Sequence, residues 1–155
     1  MLNLSVSKPD NLPKNLAYVA GNALSLPFPN NSFDIAYSNS VIEHLYTFEN
    51  QKMFAKEMLR ISKKIYMQTP NKYFFVEPHL ITPFIHFLPE GVQKLLIKNF
   101  TIWGILTRPS KEKVDRFLKE VRLLTKSELK QLFPECKILK EKWLFLTKSY
   151  MVIKK

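Results

Sequence analysis

Four short apolar runs, each closing on small polar residues, constrain this chain more than any other feature. They are Leu2-Asn3-Leu4-Ser5-Val6, Ala17-Tyr18-Val19-Ala20, Phe33-Asp34-Ile35-Ala36-Tyr37 and Lys64-Ile65-Tyr66-Met67-Gln68-Thr69. The first alternates and predicts a short strand, broken by Lys8-Pro9-Asp10 and Pro13. The second predicts a buried strand ended by Gly21. Between the second and third lies a turn with a mechanism, because Pro27 and Pro29 fix φ and Asn30-Asn31 tolerate tight conformations. Strands of this kind, separated by short breaks and helices, predict a parallel sheet covered by helices. Ligands in such sheets sit beyond the carboxyl ends of the strands. The ends on offer are Ser5, Gly21-Asn22-Ala23, Ser38-Asn39-Ser40 and Thr69-Pro70-Asn71.

Helices fill the intervals. Val41 to Leu45 predicts a helix start, and Glu49 to Ser62 an amphipathic helix. Phe54, Ala55, Met58, Leu59 and Ile61 form its apolar stripe, while Lys52, Lys56 and Arg60 put like charges on another face. Gly91 to Phe100 predicts a helix, and Ser110 the N-cap of the next, with Val114, Phe117, Leu118, Val121 and Leu124 at core spacing. Thr125-Lys126-Ser127-Glu128 is a capping box, with Leu124 and Leu129 as its staple, and that helix stops at Pro134. Lys137 to Phe145 and Tyr150 to Ile153 predict an antiparallel closing pair.

At 155 residues and 46% hydrophobic content, one domain with a sizeable core is expected. The single cysteine, Cys136, excludes an internal disulfide. That lone cysteine fits a reducing cytoplasm, where the protein is expected, and the start, MLNLSVSKPD, shows no basic flank or apolar stretch of a leader. Residues 51–155 carry 22 Lys and Arg against 9 acids. That charge is scattered over several elements and reads as a solvated lysine-rich surface rather than a nucleic-acid site.

The middle of the chain reads Gly21-Asn22-Ala23, Leu26-Pro27-Phe28, Ser32-Phe33-Asp34, Ser38-Asn39 and Glu43-His44, followed by Glu57-Met58-Leu59-Arg60-Ile61 and Thr69-Pro70-Asn71. In order and spacing it resembles the class I, Rossmann-like S-adenosylmethionine-dependent methyltransferases, within their small-molecule, type 11-like group. The resemblance implies a mostly parallel α/β sheet with helices on both faces and an antiparallel C-terminal strand pair. It implies S-adenosylmethionine as cofactor and a helical insertion after the fifth strand. The family's first strand ends in a glycine-rich loop, yet this chain has only Gly21, Gly91 and Gly104, none in a G-x-G. The first strand and its loop are therefore expected upstream of Met1, leaving the chain N-terminally truncated with two open sheet edges. Residues 1–72 would form the cofactor side, 73–124 a helical insertion or acceptor lid, and 125–155 the closing helix and strand pair.

By the same resemblance, Asn3 stands at or near the acidic ribose-binding position and Asn22 at the adenine-binding one. An Asn carbonyl accepts that bond more weakly than a carboxylate. Gly21, Ala23, Ser38, Asn39 and Ser40 complete the expected cofactor contacts, and Ser38 to Ser40 equally suit a helix N-cap. Glu43 and His44 are the catalytic candidates on the acceptor side, with a structural role as the alternative. Asp34 reads as a turn or cap residue. Glu77, His79 and His86 fit no standard ligand spacing, so no metal is expected. Phe74, Phe75, Phe84, Phe87, Phe100 and Trp103, flanked by Lys94, Lys98 and Arg108, suggest a lid over a small-molecule or lipid-like acceptor near a membrane surface. They equally suit a subdomain core or an oligomer contact. Expected partners are that acceptor and a second copy or complementing N-terminal segment, without nucleic acid. The expected function is methyl transfer, incomplete in this chain, with a non-catalytic binding or scaffolding remnant as the alternative.

Overall fold

The computed structural model of the chain describes residues 2–3, by their backbone, and residues 17–155. Leu2–Asn3 (β1) pairs in parallel with Val19–Ala20 (β2), Asn3 opposite Ala20. The remainder of the first predicted strand, Ser5 included, and the break at Lys8 to Pro13 lie outside the described residues. The expected burial of the second run is corrected. Only Val19 and Ala20 form a strand and both are exposed, because among the described residues they pair with β1 alone and no packed layer covers them.

Phe33–Asn39 (β3) leads into a 3₁₀ turn, Ile42–His44. The α-helix begins later than Val41, at Phe48–Ile61 (α1), because Thr47 caps it: Thr47 Oγ1 accepts from the Asn50 N–H at 3.1 Å. Asp34 belongs to β3, where it meets Lys63 at 2.9 Å, and is not a turn or cap residue. Arg60 is likewise not a mere surface charge. Its guanidinium meets Glu57 at 2.7 and 2.8 Å and donates to the carbonyls of Phe28 at 2.6 Å and Leu26 at 3.0 Å. Glu57 also accepts from the Leu26 N–H at 2.7 Å. The planar fork thus fastens the Leu26–Asn30 turn onto α1, a task that suits arginine rather than lysine.

Ser62–Pro70 (β4) is the hub. It runs parallel to β3, with Ala36 opposite Ile65 and Asn39 opposite Gln68. After it come a small hairpin, Val76–Glu77 (β5) with Thr82–Pro83 (β6), and the helices Glu90–Phe100 (α2), Ile102–Thr107 (α3), Lys111–Glu120 (α4) and Lys126–Leu132 (α5). Lys137–Trp143 (β7) and Leu146–Lys154 (β8) close the chain as the expected antiparallel pair, and β8 lies antiparallel to β4. The resulting mixed sheet has the order β3-β4-β8-β7, apart from the β1-β2 pair.

The sheet's period of two sorts its side chains. Ile65 and Met67 of β4 and Tyr150 and Val152 of β8 point to one face, where they pack with Phe54, Ala55 and Met58 of α1 and Leu129 and Leu132 of α5. Both helices that build this core therefore cover the same face. On the other, Ile35 and Tyr37 of β3 are 60% and 68% exposed, with Tyr37 stacked on Tyr66. Among the described residues β3 pairs on one side only.

A second cluster joins Leu80, Ile85, Ile97 and Val114 with Trp103 and Phe117. Gly104 makes it feasible: a Cβ there would stand 1.9 Å from the Ile97 carbonyl oxygen, so α3 approaches α2 closely only as glycine. The capping box is formed in full, Thr125 and Glu128 each accepting the other's backbone N–H, with Leu124 and Leu129 buried beside it.

Leu129→Ala is expected to cost about 2–5 kcal/mol by urea unfolding, as for other buried leucines. Leu95→Ala, at a position 76% exposed, should stay within about 0.5 kcal/mol.

Candidate active site at the strand ends

The predicted site residues fall at carboxyl ends of parallel strands. Asn3 ends β1, Gly21-Asn22-Ala23 follow β2, and Ser38-Asn39-Ser40 end β3. The Asn3 side chain lies outside what is described. Asn22 is exposed and builds an Asx turn, its Oδ1 accepting from the Leu24 N–H at 3.0 Å and its carbonyl from the Ser25 N–H at 3.0 Å. Ala23 is buried in the main core.

Ser38 to Ser40 do not cap a helix. Val41 occupies the N-cap of the 3₁₀ turn, without a side-chain bond. Ser38 is buried and its Oγ has no hydrogen-bond partner among the described residues, while Asn39 is exposed. Ser40 takes a left-handed conformation, φ 50°, held by Gln68. Its N–H donates to the Gln68 carbonyl at 3.1 Å and its Oγ to Gln68 Oε1 at 3.0 Å. The end of β3 is thereby tied to the end of β4. A cleft of about 320 Å³ opens there, lined by Ser40, Gln68, Pro70, Asn71, Phe74 and Val76 among others. Asn71 itself serves the fold, donating to the Thr147 carbonyl at 2.8 Å and accepting from the Tyr73 N–H at 3.1 Å.

Glu43 is fully buried. Its Oε2 accepts from the Thr69 hydroxyl at 2.9 Å, and its Oε1 has no hydrogen-bond partner among the described residues. Burial pushes its carboxyl above the ordinary value, against the opposing pull of its own backbone, Thr69 and His79. His44 is partly exposed, and burial followed by the neighbouring His79 holds it below the usual imidazole range. His79 stands 3.2 Å from His44, Nε2 to Nε2, with the rings nearly perpendicular. Its Nδ1 meets Glu77 Oε1 at 2.7 Å. Burial works against the His79 cation, but the hydrogen bond and charge of Glu77 outweigh it and leave its pKa raised.

Sequence reasoning missed what holds this corner. Gln51 of α1 is fully buried, with its Nε2 donating to the carbonyls of Ile42 at 3.0 Å and Arg122 at 2.9 Å. Arg122 returns a bond to Gln51 Oε1 at 2.8 Å, its N–H donates to the Glu43 carbonyl at 2.7 Å, and its guanidinium pairs with Glu128. The available signal was a glutamine on an apolar stripe, three residues before Phe54 and four before Ala55.

A protein-family model described as "Methyltransferase domain" matches residues 2–64. The match covers less than half of the 155-residue chain. The family implies S-adenosylmethionine as cofactor. Every predicted site residue lies inside the methyltransferase-domain span, whereas Thr69, Glu77 and His79 lie beyond it. Among solved structures, a protein from Pyrococcus horikoshii OT3 aligns at TM-score 0.50 and 17% identity, over 90% of this chain and 58% of its own. That likeness is one of fold. A SAM-dependent methyltransferase from Methanosarcina mazei aligns at TM-score 0.48 and 16% identity, over 88% of this chain and 65% of its own. A SAM-dependent methyltransferase from Thermotoga maritima, described as a possible histamine N-methyltransferase, aligns at 0.46 and 16%, over 90% and 65%. The chain thus spans less than two thirds of the length of each. No curated protein matches it. Among the described residues no helix is long and apolar enough to cross a membrane.

Arg122 and the Thr125 N–H outweigh the burial that would raise the Glu128 carboxyl, and hold it below its ordinary 4.5. A lowered carboxylate stabilises the fold above that pH and loses its contribution as pH falls through the folded value. Glu128→Gln is therefore expected to cost about 1 kcal/mol at pH 7. Thermal unfolding across pH should show the gap to the parent protein closing below pH 4.5.

Proposed function

We propose that the chain is the larger part of an S-adenosylmethionine-dependent methyltransferase acting on a small-molecule or lipid-like acceptor. The supporting observation is the end of β3. A buried Ser38 hydroxyl without a partner stands beside an exposed Asn39, five residues before Glu43, inside the span that matches the family. A buried hydroxyl left unpaired is costly, and a polar ligand at the strand end would relieve it. That is the fit expected for the cofactor on the β3 side.

Asn22, the Ala23 N–H and Ser38 to Ser40 would hold the cofactor, with Asn3 near its ribose. When bound, S-adenosylmethionine supplies an electrophilic methyl group. The chain's own contribution is positioning, which dominates when the reaction is a direct displacement. Ser40, fixed by Gln68, sets the floor of the cleft that would take the acceptor. His44, whose pKa burial and then His79 lower, would take up a proton from an acceptor hydroxyl or amine. Glu43 would steady the ring's surroundings from the buried side. Residues 73–124 would act as the acceptor lid. Exposed Tyr73, Phe84, Phe87 and Phe100 offer an apolar surface for a lipid-like group. In a cell the protein would work in the cytoplasm, touching membranes at their surface.

Calorimetric titration with S-adenosylmethionine tests this reading. Saturable binding is expected, weakened about fivefold by Ser38→Ala, the equivalent of roughly 1 kcal/mol for one hydrogen bond. Absence of saturable binding both by the folded chain and by a version extended upstream to a G-x-G segment would favour the non-catalytic reading.

A further inference from the structure

The three histidines of the chain are His44, His79 and His86, and the fold brings two of them together across 35 residues of sequence. One carboxylate oxygen of Glu43 and one ring nitrogen each of His44 and His79 lie within 4.8 Å of one another. The geometry points to a binding site for a single divalent transition-metal ion, with Glu43, His44 and His79 as its protein ligands. This assignment stands on side chains alone and does not require methyl transfer.

Four features carry it. First, the two Nε2 atoms are 3.2 Å apart on nearly perpendicular rings. Two imidazole nitrogens on one tetrahedral zinc, each at about 2.0–2.1 Å, are separated by roughly 3.3–3.4 Å. Small adjustments of the rings admit the ion between them. Second, Glu77 meets His79 Nδ1 at 2.7 Å, so the proton on that nitrogen is engaged and Nε2 is left as a lone-pair donor. A carboxylate behind a histidine ligand is the usual outer arrangement of a metal site. Glu77 is itself fixed, buried at 3% exposure and accepting from the Leu80 N–H at 2.5 Å. Third, Glu43 is a fully buried carboxylate with one oxygen held by Thr69 and the other without a hydrogen-bond partner among the described residues. Buried charges are paired or coordinate metals, and among the described residues no Lys or Arg bonds to this one. Fourth, His44 and His79 are both partly exposed, so the ion can enter from solvent and keep positions open for an oxygen or nitrogen ligand.

Two imidazoles and one carboxylate suit zinc, iron or nickel rather than magnesium or calcium. The alternative arrangement is a proton shared between the rings, His44 Nε2–H donating to His79 Nε2.

Zinc titration of the full, chelator-treated chain, followed by calorimetry with a competing chelator, separates the two. The site predicts one equivalent bound and a rise in unfolding temperature, with Co²⁺ giving visible bands of low coordination number. His44→Ala, His79→Ala and Glu43→Gln should each weaken zinc at least tenfold, and Glu77→Gln about 10–100-fold, the usual effect of removing an outer carboxylate. His86→Ala, which removes only a ring bonded to the Lys72 carbonyl, should leave affinity unchanged. Circular dichroism checks that each variant is folded, and His44→Gln replaces His44→Ala if the smaller side chain fails. Absence of saturable binding by the folded chain would overturn the site. So would binding that survives loss of both His44 and His79, or that falls equally with His86→Ala.

Discussion

Strand β4 fixes everything else, because it pairs on both edges and buries every second side chain. β3 lies parallel on one side and β8 antiparallel on the other, while Ile65 and Met67 anchor the core shared by α1 and α5. A slip of one residue would turn that apolar set to the opposite face, so the register is strongly specified. The same register puts Gln68 against Ser40 and Thr69 against Glu43. Core packing and the position of the polar corner are thus one constraint. The site residues stand where they do because the strand beneath them cannot move.

Around this hub, polar clamps rather than apolar contacts fasten the loops. Arg60 closes the Leu26–Asn30 turn on α1 by satisfying two carbonyls and one carboxylate at once. Arg122 and Gln51 do the same for the 3₁₀ turn that carries Glu43 and His44. Buried backbone groups away from regular structure need partners, and these side chains supply them. Among the described residues, β3 has no such cover on the second face of the sheet. Ile35 and Tyr37 remain open there, beside an edge of β3 that pairs with nothing among the described residues.

Local signals were legible wherever one residue's chemistry decides its neighbours. Thr125 to Glu128 formed the capping box, Ser110 capped α4, and Pro70 ended β4 as read. Periodicity sufficed for α1 and for the closing pair. What escaped were contacts between residues distant in sequence. Nothing in the Lys52, Lys56, Arg60 row reveals that one member turns inward to carbonyls some thirty positions earlier. Val19 and Ala20 are exposed among the described residues; an apolar run reports its preference for cover, not whether a neighbouring layer provides it. Likewise Glu77, His79 and His86 have no ligand spacing along the chain. The meeting of His79 with His44 depends on the β5–β6 hairpin bringing its connecting residues against the Ile42–His44 turn, which no local pattern encodes.

The account rests finally on that meeting, since it joins the segment after β3 to the segment after β4 in a single polar corner. Long-range ¹H–¹⁵N correlation spectra of the histidine side chains test it directly. With Glu77 engaging Nδ1, His79 should appear as the Nδ1–H tautomer once the pH exceeds its raised pKa, and His44→Gln should shift the His79 ring resonances while those of His86 stay in place. A His79 ring that does not respond to the change at His44 would show that the two never face one another, and the corner as described would not exist.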